Sequence, residues 1–217
     1  IEAYRLAVEA GTDGIELDVR RTSDGVLIVS HDESYPGIGT LSSLEFGAIR
    51  ELAPKVPTLR EAMNSIPGSV FVNVEIKNFP HEKGFDEHRT IVDETIRELR
   101  SYDDPKRILM SSFDPVSMHR VRQIAPDLLC SQLVLASVPL NDGMATAREF
   151  EMDAINPNIV HVAADTASIM EALAEAKLRV VVWGVNSPED VVSMATAGVD
   201  AIITDDPGMA RTVIDQL

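Results

Sequence analysis

Short apolar runs alternate with amphipathic stretches along the whole chain. Strands are predicted at residues 14–20, 26–31, 70–77, 107–112, 128–135, 154–158, 179–185 and 201–204. Between them, helices are predicted at 1–10, 58–66, 87–102, 116–124, 144–151, 166–176, 188–197 and 209–216. Asp24-Gly25 separates the first two strands and is a turn dipeptide, so this pair forms a hairpin. Several helix starts are written in the chemistry. Ser187-Pro188-Glu189-Asp190 offers a capping hydroxyl, a proline at the first helical position and acids in the first turn. Asp114-Pro115 and Asp206-Pro207 repeat the device, while Asp205 is read as a cap as well. Gly11 and Gly198 suit left-handed helix ends.

Repeated strand–helix units point to a parallel sheet wrapped by helices. The expected fold class is α/β, a TIM (β/α)8 barrel formed by residues 1–217 as a single domain, with a compact excursion at about 32–56. No G-x-G-x-x-G follows a strand and no Walker loop is present, which counts against an open nucleotide-binding sheet. A closed barrel usually takes about 250 residues. These 217 fall short of that, and the expectation is a barrel lacking its first strand.

Within the first strand, Ile15, Leu17 and Val19 share one face, and Glu16 and Asp18 share the other, because strand side chains alternate. In a barrel the apolar set meets the helices and the acids point inward. Glu75 and Lys77 repeat this parity in the strand at 70–77. Such carboxylates repel one another and lose solvation unless a cation, a base or a raised pKa intervenes. Hard oxygen donors suit Mg²⁺ or Ca²⁺ better than Zn²⁺. His31 ends its strand beside Asp32 and suits a general acid or base. Trp183 either lines a substrate mouth or fills the core. Asn156 and Asn186, at strand ends, suit ligand contact or turn formation equally. His81, His88, His119 and His161 are read as surface residues, and Cys130 as a buried strand residue.

Charge and composition narrow the partners. There are 35 acidic and 19 basic side chains, for a formal net charge of -16. That balance argues against nucleic acid and anionic membrane as general partners, though a bound cation can admit a small anion. No apolar run approaches the ~18 residues of a membrane span, so no stable membrane insertion is expected. A lone cysteine leaves no internal disulfide and no cysteine-rich zinc site. The expected compartment is the cytoplasm, with a periplasmic or secreted location left open.

The segments Gly11-Thr-Asp-Gly-Ile-Glu-Leu-Asp-Val-Arg20 and Asp24-Gly-Val-Leu-Ile-Val-Ser-His-Asp32 resemble the glycerophosphodiester phosphodiesterase family. Val56-Pro-Thr-Leu59, Val74-Glu-Ile-Lys77, Ser111-Ser-Phe113, Trp183-Gly-Val-Asn186 and Gly198-Val-Asp-Ala-Ile-Ile-Thr-Asp205 extend the resemblance almost to the end. It implies a barrel of the phospholipase-C-like phosphodiesterase type, with one divalent cation, Mg²⁺ or Ca²⁺, at its C-terminal face. It assigns metal ligation to Glu16, Asp18 and Glu75, acid–base catalysis to His31, and substrate phosphate contact to Lys77. The family's opening strand carries a His-Arg pair followed by a Glu, and this chain begins where that segment would end. The implied reaction is hydrolysis of a glycerophosphodiester to sn-glycerol 3-phosphate and an alcohol. Two alternatives stand beside it: a related lipid phosphodiesterase such as a lysophospholipase D, and a non-catalytic ligand-binding member of the fold. A third treats the 217 residues as an inactive fragment that binds its cation poorly.

Overall fold

A computed structural model describes residues 1–102 and 104–217. Helix α1 (Glu2–Glu9) precedes strand β1 (Gly14–Arg21), which turns at Gly25 (φ 85°) into antiparallel β2 (Leu27–Val29). An excursion follows, with β3 (Ser34–Tyr35), β4 (Gly39–Thr40) and α2 (Phe46–Leu52). Then come α3 (Leu59–Ser65), β5 (Phe71–Ile76), α4 (Thr90–Leu99), β6 (Ile108–Ser112), α5 (Pro115–Ile124), β7 (Leu129–Val134) and α6 (Leu140–Glu149). The chain ends with β8 (Ala154–Pro157), α7 (Ile159–Ala164), α8 (Thr166–Glu175), β9 (Arg179–Trp183), α9 (Pro188–Ala197), β10 (Ala201–Ile203) and α10 (Pro207–Ile214).

The main sheet has eight strands in the order β10-β9-β8-β7-β6-β5-β1-β2, all pairs parallel except β1–β2. Consecutive parallel strands linked by helices make the TIM-barrel-like α/β fold that the alternating pattern predicts. β10 and β1 are not hydrogen-bonded to each other. Arg211 of α10 nevertheless donates to the Gly11 carbonyl (3.1 Å) and pairs with Asp13, which brings the last unit back to the start of β1.

Burial follows strand parity. Ile15, Leu17 and Val19 pack outward against helices with Val72, Val74 and Ile76 of β5, in one continuous core. Ile28, Leu41, Ile49 and Val56 form a second, smaller cluster under the excursion. Its helix α2 and hairpin β3–β4 carry no strong periodic signal, and this packing supplies the reason they form. The caps at Asp114, Ser187 and Asp206 accept from the backbone amides of their own first turns, as their residue types predict. Helix α6 begins before the predicted 144–151. Gly143 inside it lies so close to β7 that a Cβ would come within 2.5 Å of the Val134 side chain. A glycine that weakens the helical signal is thus what lets the helix dock.

Candidate functional site

β1 and β5 are paired in a register that sets Glu16 beside Asn73 and Asp18 beside Glu75. The inward faces of two strands therefore merge into one acidic surface. Glu16, Asp18 and Glu75 each bring a carboxylate oxygen to within 4.8 Å of the others. Lys77, next on the same face, sets its ammonium 2.9 Å from Asp18 Oδ1 and 2.7 Å from Glu75 Oε1. The second contact pairs Glu75 Oε1 with the Lys77 ammonium. Glu16 Oε1, by contrast, is buried and without a hydrogen-bond partner among the described residues. An unpartnered buried carboxylate oxygen beside two further carboxylates is a set of oxygen donors that fits a metal ion.

The electrostatics agree with that fit. Burial, then the charges of Asp18 and Glu75, push the Glu16 carboxyl well above its ordinary value, with Lys77 opposing. Glu75 is raised as well, chiefly by burial, although Lys77 pulls it back. Burial works against the Lys77 charge, yet Glu75 and Asp18 outweigh it and hold the ammonium above its usual value. Tyr4 of α1 senses the same cluster: burial, helped by Glu16 and Asp18, pushes its phenol up to about 12.

A stability test follows. A carboxyl raised in the folded state keeps its proton to higher pH than in the unfolded chain. Its contribution is complete below the unfolded value of 4.5 and is lost as pH rises through the folded one. Metal-stripped protein is therefore expected to lose melting temperature as pH rises above about 4.5, and Glu16→Gln to make that slope shallower. An unchanged slope in scanning calorimetry would exclude Glu16 as its source.

The β1–β2 hairpin delivers His31. The Ser30 amide donates to the Asp18 carbonyl (2.9 Å), carrying the antiparallel pairing past β2 and bringing the next residue to the cleft that the carboxylates line. The His31 ring is 79% exposed, so it meets solvent rather than core, and its Nδ1 lies 2.9 Å from Asp32 Oδ1. One cleft of about 590 Å³ receives Glu16, Asp18, His31, Glu75, Lys77 and Trp183 together. The structure thus brings together the proposed metal, acid–base and substrate residues, while Asn186 also lines the cleft and Asn156 is buried away from it. Trp183 lines the cleft wall: its indole donates to the Asn156 carbonyl (3.0 Å), and Phe113 meets it edge-on at 6.0 Å.

Other residues were not found from sequence. Phe79 continues the aromatic wall 5.5 Å from Phe113, and Leu133 and Leu135 line the same side. Their loop and strand-end positions carry no periodic signal. Asn73 has the Glu16 parity, and that alone could have pointed to it; both its polar atoms are buried and unpartnered among the described residues. Asp205 is not a helix cap. It lines the cleft and accepts from Asn186 Nδ2 (2.7 Å), while Asp206 alone caps α10. His81 and His88 are exposed, but His119 and His161 are half-buried rather than free on the surface. His119 lies against the Phe150 ring, and His161 Nε2 lies 3.0 Å from the Leu135 carbonyl. Cys130 is buried as expected.

Carboxylates gathered on the inner face of neighbouring strands give this TIM-barrel-like α/β chain an acidic cleft able to hold a metal ion. Comparison with known proteins narrows this. The profile of the glycerophosphoryl diester phosphodiesterase family matches residues 1–209, and the chain belongs to that family. It is a hydrolase of phosphodiesters. A glycerophosphodiester phosphodiesterase from Caldanaerobacter subterraneus subsp. tengcongensis is 31% identical over 223 residues, 95% of this chain and 88% of that protein. Among solved structures, two illustrate the shared fold. One, a glycerophosphodiester phosphodiesterase from Thermotoga maritima, has a TM-score of 0.80 at 21% identity, covering 98% of this chain and 90% of its own. The other, an Oleispira antarctica phosphodiesterase in complex with the product sn-glycerol-3-phosphate, has a TM-score of 0.83 at 17% identity, covering 98% and 89%. Among the described residues no helix is long and apolar enough to cross a membrane.

Proposed function

We propose that this protein hydrolyses glycerophosphodiesters to sn-glycerol 3-phosphate and an alcohol, in glycerophospholipid degradation, with one divalent cation, Mg²⁺ or Ca²⁺, held by Glu16, Asp18 and Glu75. The observation that carries this is the convergence of those three carboxylates within 4.8 Å in the cleft that also receives His31 and Lys77. Bound there, the cation supplies positive charge against the phosphoryl oxygens, without which a phosphodiester anion would be repelled by the acids. Lys77 screens the mutual repulsion of Asp18 and Glu75 and adds a second positive charge to the cleft wall.

His31 handles protons. With its Nδ1–H on Asp32, Nε2 presents a lone pair that takes a proton from the attacking water as the water oxygen bonds to phosphorus. The protonated ring then returns that proton to the alkoxide that leaves as the P–O bond to the alcohol breaks. Trp183 and Phe113 form the apolar wall against which the carbon skeleton of the substrate lies.

The direct test is to strip the protein with a chelator, restore Mg²⁺ or Ca²⁺, and follow glycerol 3-phosphate release from glycerophosphocholine. Turnover is expected only with the cation restored; equal turnover in chelator sinks the proposal. The aliphatic and aromatic wall at Phe79, Phe113, Leu133 and Leu135 favours a second substrate class, lysolipids with an acyl chain. Faster turnover of a long-chain lysophosphatidylcholine than of glycerophosphocholine in the same assay would establish it.

A further inference from the structure

We infer that Arg20, with Glu82, is a positioning residue that holds His31 at the cleft that the carboxylates line; this rests on the acid–base role proposed for His31. Arg20 follows Asp18 on the inward face of β1 and is almost wholly buried, with 9% of its side chain exposed. Its guanidinium is fully committed in two directions. One edge grips Glu82 of the loop after β5 in a two-point pair, Nη1 to Oε2 at 2.7 Å and Nη2 to Oε1 at 3.0 Å. The other reaches the backbone that carries the histidine: Nη2 donates to the His31 carbonyl (2.9 Å), and Nε to the carbonyls of Ser30 (3.2 Å) and His31 (3.3 Å).

The need for such a device follows from the rest of the segment. Hairpin pairing runs only as far as Ser30, and the His31 side chain is mostly in solvent, so apart from Asp32 at its Nδ1 no packing fixes the ring. What remains is the backbone, and Arg20 takes hold of it at two successive carbonyls. Glu82 in turn fixes the fork. A second tie runs the opposite way: Glu33, just past His31, accepts from the amides of Lys83 (2.6 Å) and Gly84 (3.3 Å), the residues next to Glu82. Gly84 is packed so closely on Ser42 of the excursion that a Cβ there would lie 2.8 Å from the serine Cβ. Loop and histidine segment are thereby clamped to each other, with Arg20 between them. A lysine keeps the charge that Glu82 requires but cannot present the planar fork that spans both partners.

Arg20→Lys is the variant that separates positioning from charge. It is expected to lower kcat on glycerophosphocholine by about 10- to 10²-fold, the range a misplacement of about 1 Å produces, while KM and the cation concentration for half-maximal turnover stay within about twofold. In a His31→Ala background the same substitution is expected to cost nothing further, because residues acting as one unit are not additive. Wild-type turnover in Arg20→Lys overturns the inference. So does a loss carried by KM alone, or an equal loss with His31 already removed. Full turnover in His31→Ala alone is a different failure: it removes the acid–base reading of His31, and this inference falls with it. Should Arg20→Lys melt far below the wild type, Glu82→Gln, which loosens the fork and leaves Arg20 in place, is judged by the same criteria.

Discussion

Glu16→Gln, Asp18→Asn and Glu75→Gln will each abolish cation-supported hydrolysis of glycerophosphocholine while leaving the protein folded. The three carboxylates are the proposed ligands of the cation, with an oxygen of each within 4.8 Å of the others. A Lewis-acidic cation contributes several kcal/mol to a phosphoryl transition state, and each 1.4 kcal/mol is tenfold, so a loss of about 10³-fold or more is expected. Inactivity from unfolding is not expected. The amides keep shape and volume, and each removes one member of a cluster whose burial and mutual repulsion already disfavour the charged state of Glu16. Melting temperature supplies the independent readout. Added Mg²⁺ or Ca²⁺ should raise it in the wild type, and the rise should vanish in the variants. Full activity retained in all three would end the metal-site proposal.

His31→Ala will leave the cation titration nearly unchanged and lower kcat by about 10² to 10⁴-fold, the usual contribution of a positioned acid or base. The two effects separate because His31 enters the cleft from β2 and Asp32 holds its Nδ1, whereas the donor oxygens come from β1 and β5. The exposed ring makes few packing contacts, so stability should move little. If cation affinity falls by the same factor as turnover, His31 is a ligand and not a proton carrier.

The chain writes some of this plainly and hides the rest. Strand and helix identities follow from period and cap chemistry, and both are local: Asp114, Ser187 and Asp206 satisfy amides two or three residues away. The excursion was harder. Its short β3, β4 and α2 owe their existence to a small cluster around Ile28, Leu41, Ile49 and Val56, contacts between segments that no window along the chain contains. Asp205 misled for a similar reason. Next to Asp206 and before a proline it has the residue type of a cap, and only the approach of Asn186 decides that its carboxylate faces the cleft.

The charge of -16 on 217 residues also has two parts. Most of it says nothing of the site. The part that matters was visible as parity: period-2 alternation sends Glu16 and Asp18 to one face and Ile15, Leu17 and Val19 to the other, whatever the neighbours are. Glu75 and Lys77 obey the same rule. The sequence by itself thus determined which side chains point inward, since that depends only on backbone pleat and on which face is apolar. Tertiary structure alone decided that Asp18 stands beside Glu75, that Lys77 bridges the two, and that Arg20 and Glu82 grip the segment bearing His31. Register and loop docking are set by packing between segments far apart in the chain, and no local preference carries that information.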